Sequence, residues 1–257
     1  MRRALIIGIG AGDPDHLTLQ AIKALNRVDV FLVAEKGGDK DDLVRLRREI
    51  CDRFVTDRPY RIVAFDQPRR EEVALSYTAT VADWHAAIAH RVETLLTDEV
   101  RDGECAGFLV WGDPSLYDST LRILDTLKAG GFALDYEVIP GISSIQVLAA
   151  RHRVPLNGIG EAIAITTGRR LAEEGLGEAP STVVMLDGAC AFRAIDAGGV
   201  DIHWGAYLGT KDEILISGPL AEVGDEIVRV RETARAAKGW IMDTYLLRRR
   251  KSAPGGP

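Results

Sequence analysis

The sequence predicts an α/β protein of two domains, the first on a parallel sheet and the second on a mixed one. Three observations carry that reading. Short apolar runs alternate with helical patterns through the first half. The second half sets strand-like runs one after another. Several apolar runs end in glycine-bearing turns, as strands do when they open onto a ligand crevice.

The elements follow in order. "ALIIGIG" is an uninterrupted apolar run closed by glycines, the pattern of a strand buried on both faces. "AGDPDH" is a loop, and Thr18 caps a short helix, "LQAIKALNR". "VDVFLVAE" is the second strand. Residues 36–60 form a charged helical excursion, and "YRIVAFD" is a third strand. A long amphipathic helix, or two, begins after Pro68, and "CAGFLVWGDP" is the next buried strand. "STLRILDTLKAGG" is a helix closed by Gly130, "LDYEVIPG" a strand, and "ISSIQVLAARHR" a helix starting at the glycine. Strands then come at "AIAITTG", "STVVMLDG", "IHWGAYLG", "EILISGPL" and "WIMDTYLLRR", with a helix near 219–238. The expected division is 1–116, 117–250 and a disordered tail, 251–257, with a small-molecule cleft between the two domains.

Composition narrows the function. A net charge of -6 gives no overall attraction to nucleic acid. No stretch is long enough to span a membrane, and "MRRALIIGIGAG" is too short and glycine-broken for a signal peptide. Cys51, Cys105 and Cys190 lie far apart, with no zinc or disulfide spacing, which fits free thiols in a reducing cytoplasm. His85, His90, His152 and His203 stand apart without ligand spacing, so no metal site is expected.

"GIGAGD" follows a strand, as a dinucleotide fingerprint would, but its spacing is G-x-G-x-G and Asp13, Pro14 and Asp15 follow as a loop. Glu35 at the end of the second strand keeps a nicotinamide-dependent oxidoreductase open as an alternative. The further glycine turns "WGDPS", "IPGISS", "VVMLDG" and "AYLGT" point to a crevice lined by backbone groups.

Taken in order, "GIGAGDPDHLT", "GDPSLYDS" and "VIPGISS" resemble the tetrapyrrole methylases, which use S-adenosyl-L-methionine in cobalamin and sirohaem synthesis. The resemblance spans nearly the whole chain. The long insertion after the second strand, with "WGDPSLYDSTLRIL" and "GWIMDTYLLRRR", is most similar to the branch that methylates precorrin-5 and releases acetate. The resemblance implies two α/β domains with the cofactor in the cleft between them, and a homodimer. Matched residue by residue, the cofactor contacts fall on Ala11, Trp111, Gly112, Asp113, Leu116, Ser143, Ser144, Met185, Leu208 and Gly209, with S-adenosyl-L-homocysteine as product. Ala11 stands where relatives often carry proline. An acid ends the second strand in relatives that make the sirohaem precursor; the ungapped match here is Ala34, with Glu35 beside it.

Methyl transfer from a sulfonium to an electron-rich ring carbon asks the protein for positioning rather than for a nucleophile. Release of an acetyl group also needs water and a base. Asp113, Glu35 and Tyr117 are the catalytic candidates, with Asp187 a further possible base. Asp113 is open to two readings, an acceptor facing a cationic cofactor or an acid that caps its own turn. A many-carboxylate substrate on an acidic protein needs local basic residues; Arg69, Arg70, Arg169, Arg170 and Lys211 lie near expected loop ends. Two further alternatives are another methylase of the same family, acting at a different ring position or on diphthine precursors, and a carrier that binds a tetrapyrrole without turning it over.

Overall fold

The computed structural model describes residues 1–35, 41–66 and 77–250, with the backbone alone at 35, 41, 42, 66 and 77–86. Arg69, Arg70 and the 251–257 tail lie outside the described residues. The first sheet has five parallel strands, β1 (Arg2–Gly8), β2 (Val30–Glu35), β3 (Arg61–Asp66), β4 (Cys105–Val110) and β5 (Leu134–Ile139), in the order β3-β2-β4-β1-β5. Its inner strands, β1, β2 and β4, carry the apolar runs because both of their faces are covered. Leu5, Ile7, Phe31 and Leu109 pack on one face with α1 (Leu19–Leu25) and α2 (Asp41–Phe54). Ala4, Ile6, Leu32 and Phe108 pack on the other with α3 (Tyr77–Asp98) and α4 (Thr120–Ala129). Thr18 caps α1 as expected, its hydroxyl accepting the Ala21 N–H at 3.0 Å.

The second sheet joins β6 (Ile163–Thr167), β7 (Ser181–Met185), β8 (Val200–Ala206), β9 (Ile214–Pro219) and β10 (Asp243–Arg249) in the order β6-β7-β10-β8-β9. It is mixed, as the sequence predicts: β6 and β7 are parallel and the other pairs antiparallel. Tyr245, Leu246 and Leu247 are fully buried because β10 is central. One face carries α5 (Ser144–His152); the other carries α7 (Leu220–Lys238) and the short α6 (Gly168–Glu174), which crosses from β6 to β7.

The chain divides into two units, Met1–Ser143 and Ser144–Pro257. The division expected after residue 116 therefore moves past α4 and β5. The reason is a long-range pairing: β5 hydrogen-bonds along β1, from Arg2↔Leu134 to Ile7↔Ile139, and so completes the first sheet. The helix expected at Gly141 starts instead at Ser144. Helix α6 was not expected, because its seven residues, "GRRLAEE", carry no apolar repeat to announce it. "AGDPDH" is more ordered than a plain loop. Pro14–His16 form a 3-10 turn, and Asp13 caps it through the Asp15 N–H at 2.9 Å.

Candidate active site

In the first unit the chain leaves β1 toward α1 on one face and leaves β4 toward α4 on the opposite face. Adjacent parallel strands whose connections part in this way open a crevice at their C-terminal ends. Three glycine turns line it. Gly10 and Gly112 form a two-residue bridge, with the Gly112 N–H donating to Gly10 O at 2.8 Å and the Gly10 N–H to Gly112 O at 3.3 Å. The third turn, at Gly141, presses against both. A Cβ on Gly8 would sit 2.6 Å from Gly141 N, and one on Gly141 would overlap Gly112 O. These positions are glycine because backbone meets backbone. Gly112 is also left-handed, at φ +70°, and is buried against Ser143, whose α-carbon would lie 3.6 Å from an added Cβ.

Asp113 ties two of the turns together. One carboxylate oxygen accepts the Ser115 N–H at 2.8 Å and the Ser115 hydroxyl. The other accepts the Gly141 N–H at 2.8 Å, across 28 residues of sequence. Burial pushes this carboxyl up, but hydrogen bonds from Ser115 and from the Gly141 N–H outweigh it and hold it below the usual carboxylate range. An acid so held is a weak proton acceptor, so of the two readings the turn-organising one is what this geometry supports.

A pH dependence follows. The folded protein keeps Asp113 ionised to lower pH than the unfolded chain does. Its contribution to stability is therefore present above about pH 4 and is lost as pH falls through the depressed folded value. Asp113→Asn should cost about 1–3 kcal/mol near neutrality and less at pH 3. Urea unfolding of both proteins at the two pH values checks this; an equal cost at both would contradict it.

The first unit also brings Ala11, Trp111 and Leu116 to these turns. Ala11 is buried, Trp111 packs against the α1–α2 cluster, and the Leu116 N–H closes the turn on Asp113 O at 3.2 Å. Tyr117 is left-handed, at φ 51°, and 41% exposed. Glu35 ends β2 in register with Asp66. Sequence reading missed Arg47. Its guanidinium donates to Leu109 O at 3.2 Å, where β4 runs on past its pairing with β2 at Phe31↔Gly107. Burial lowers its pKa and Asp118 opposes that.

In the second unit the remaining candidates gather on one row of the sheet. Met185 lies opposite Thr244, which lies opposite Gly205. Ser144 and Thr244 share a hydroxyl hydrogen bond of 3.0 Å. Leu208 closes over Gly205, where a Cβ would fall 2.6 Å from it. Gly209, at φ +77°, donates its N–H to Glu213 at 2.8 Å. Thr244 and Gly205 escaped sequence reading because only strand register makes them neighbours of Met185.

Asp187 is not placed to act as a base. It is 5% exposed, and its carboxylate accepts the Tyr245 hydroxyl at 2.7 Å and the N–H groups of Ala189 at 2.9 Å and Ala191 at 2.7 Å. Arg169 and Arg170 stand on α6 rather than on a loop, each paired with a glutamate four residues on. His152 and His203 do not stand apart: their rings meet at 5.2 Å, and burial lowers both pKa values. No helix among the described residues is long and apolar enough to cross a membrane.

Comparison with known proteins bears on this arrangement. Residues 4–224 match the family model for tetrapyrrole (corrin/porphyrin) methylases. The chain is 52% identical over 250 residues to a precorrin-6A synthase [deacetylating] of Sinorhizobium sp, covering 97% of this chain and 96% of that protein. Among solved structures, a cobalamin synthesis related protein (CobF) from Corynebacterium diphtheriae superposes with a TM-score of 0.83 at 39% identity, over 98% of this chain and 100% of that one. A cobalt precorrin-4 methyltransferase shares the fold, with a TM-score of 0.62 at 16% identity, over 95% of this chain and 94% of that one.

Proposed function

Because this chain belongs to the tetrapyrrole (corrin/porphyrin) methylase family, we propose that it methylates a ring carbon of precorrin-5 with S-adenosyl-L-methionine and releases acetate, giving precorrin-6A. The observation that carries the reading is the 52% identity to a deacetylating precorrin-6A synthase over 97% of the chain. The methyl group leaves the sulfonium for a substrate carbon, and water supplies the hydroxyl that leaves with the acetyl group.

The two residue clusters suit this chemistry. The crevice of the first unit offers the backbone groups of glycine turns, and with no side chain at Gly112 a ligand can approach the backbone closely. We assign Ala11, Trp111, Gly112, Leu116 and Ser143 there, and Ser144, Met185, Leu208 and Gly209 in the second unit, to holding the cofactor. Asp113 is a positioning residue in this assignment, since its carboxylate fixes the turn that carries Gly112. That leaves Glu35 and Tyr117 as the candidates for activating water. The chain is read as a cytoplasmic homodimer. Three buried thiols are consistent with a reducing compartment. Ile165 on edge strand β6 and Leu215 on edge strand β9 are exposed apolar residues that an interface would cover.

The nicotinamide alternative is disfavoured by the glycine loop itself. Gly10 spends its N–H and C=O on Gly112 and does not open a helix that could face a pyrophosphate. Calorimetric titration separates the two classes. The expected result is saturable binding of S-adenosyl-L-homocysteine at one site per chain and no heat from NADH. Binding of NADH without S-adenosyl-L-homocysteine would overturn the proposal.

A further inference from the structure

We infer that a cavity of about 620 Å³ in the second unit, walled by Arg169, Arg193 and the loop after β7, is the subsite for the carboxylate side chains of the tetrapyrrole. The inference rests on the function proposed above and adds a location to it. The cavity lies where β6 and β7 end, between the start of α6 and the 3-10 turn Ala191–Ala194. Its size is that of a small-molecule site rather than of a single ion.

Its wall is rigid. The loop after β7 holds two non-glycine residues in the left-handed region, Leu186 at φ 52° and Cys190 at φ 57°. Such backbone persists only where neighbours over-determine it, and it gathers at ligand clamps. Here Asp187 does the holding, through the N–H groups of Ala189 and Ala191 and the Tyr245 hydroxyl. Gly168 packs directly on that carboxylate; a Cβ there would lie 2.5 Å from its Cγ. Leu186 is consequently 65% exposed and presents an apolar surface to the cavity.

The lining charge selects the ligand. Arg193 is exposed, with no carboxylate partner among the described residues, and it lines the cavity beside Arg169. Arg169 pairs with Glu173 at 3.7 Å, with both side chains more than half exposed, a pairing that an incoming carboxylate can replace at little cost. Asp187 alone of the lining residues is acidic, and its oxygens are engaged within the protein. Two cations over apolar walls match a ligand that is partly apolar and bears several carboxylates. They do not match the cofactor, whose sulfonium and amine are cationic and which has a single carboxylate. A chain of net charge -6 needs such a local basic site to bind a polyanion.

The test uses Arg169→Ala, Arg193→Ala, the double variant and Arg193→Lys in the full chain. Each alanine should raise KM for precorrin-5 about tenfold, with kcat little changed. Arg193→Lys should retain most of the affinity, and S-adenosyl-L-homocysteine binding should stay as in the parent. Unchanged KM in the double variant, with turnover intact, overturns the subsite and leaves the proposed reaction standing. Binding of uroporphyrin, a tetrapyrrole octacarboxylate, followed by its fluorescence, tests the cavity without turnover. If the parent does not methylate precorrin-5 but the double variant still binds uroporphyrin more weakly, the reaction falls and the subsite stands. Equal uroporphyrin binding by parent and double variant overturns the subsite.

Discussion

Gly141→Ala is expected to cut turnover about a hundredfold and to destabilise the first unit by about 3 kcal/mol. The added methyl would overlap Gly112 O and lie 2.8 Å from Gly8 C and Cα. All of these are backbone atoms, so no side chain can swing away to relieve the clash. Relief requires the Gly112 turn to move off the ends of β1 and β4. That movement also pulls the Gly141 N–H from the Asp113 carboxylate, now 2.8 Å away. Stability and activity should therefore fall together. Gly130→Ala is the control. Its φ is -74° and its nearest neighbours are carbonyl oxygens at 3.4 and 3.5 Å, so an alanine fits. Thermal unfolding with S-adenosyl-L-homocysteine titration checks both variants; normal binding by Gly141→Ala would show that the glycine contact does not shape the crevice.

Arg231→Ala is expected to destabilise the second unit by about 3–5 kcal/mol. Its side chain and that of Asp243 are only 7% and 5% exposed, and they meet at 2.9 Å. Arg231 also donates to Asp187 O at 2.6 Å, and the Trp204 indole N–H reaches Asp243 at 3.0 Å. Removing the arginine leaves a buried carboxylate with the indole as its remaining side-chain donor, and an unpaired carbonyl. Desolvation of those two groups supplies the cost. Arg231→Ala combined with Asp243→Asn should recover part of the loss, because the buried charge is gone. Denaturant unfolding of both variants measures the difference; a loss under 1 kcal/mol for Arg231→Ala would contradict this account of the network.

Local pattern made the strands legible. "ALIIGIG", "CAGFLVWGDP" and "STVVMLDG" announce themselves by apolar runs closed by turn residues, and Thr18 announces the start of α1. Order along the sheet was not legible, since β5 joins β1 across most of the first unit and only that pairing shows where the unit ends. The same limit applied to the site. The glycine turns were readable as turns, but that Gly8, Gly112 and Gly141 press on one another depends on strands brought together from distant sequence. Asp113 could be read as ligand-facing or as turn-capping, and the Gly141 N–H that favours the second is 28 residues away. Thr244, Gly205 and the Arg231–Asp243 pair are likewise products of register and packing. Arg193 gave no sequence signal at all, sitting alone in a short 3-10 turn.

Mass-resolved turnover of precorrin-5 with S-adenosyl-L-methionine tests the central claim most directly. The account predicts a product that has gained one methyl and lost one acetyl group, with one S-adenosyl-L-homocysteine and one acetate formed per molecule. A product methylated with its acetyl group retained, or no methyl transfer while S-adenosyl-L-homocysteine binds normally, would contradict it.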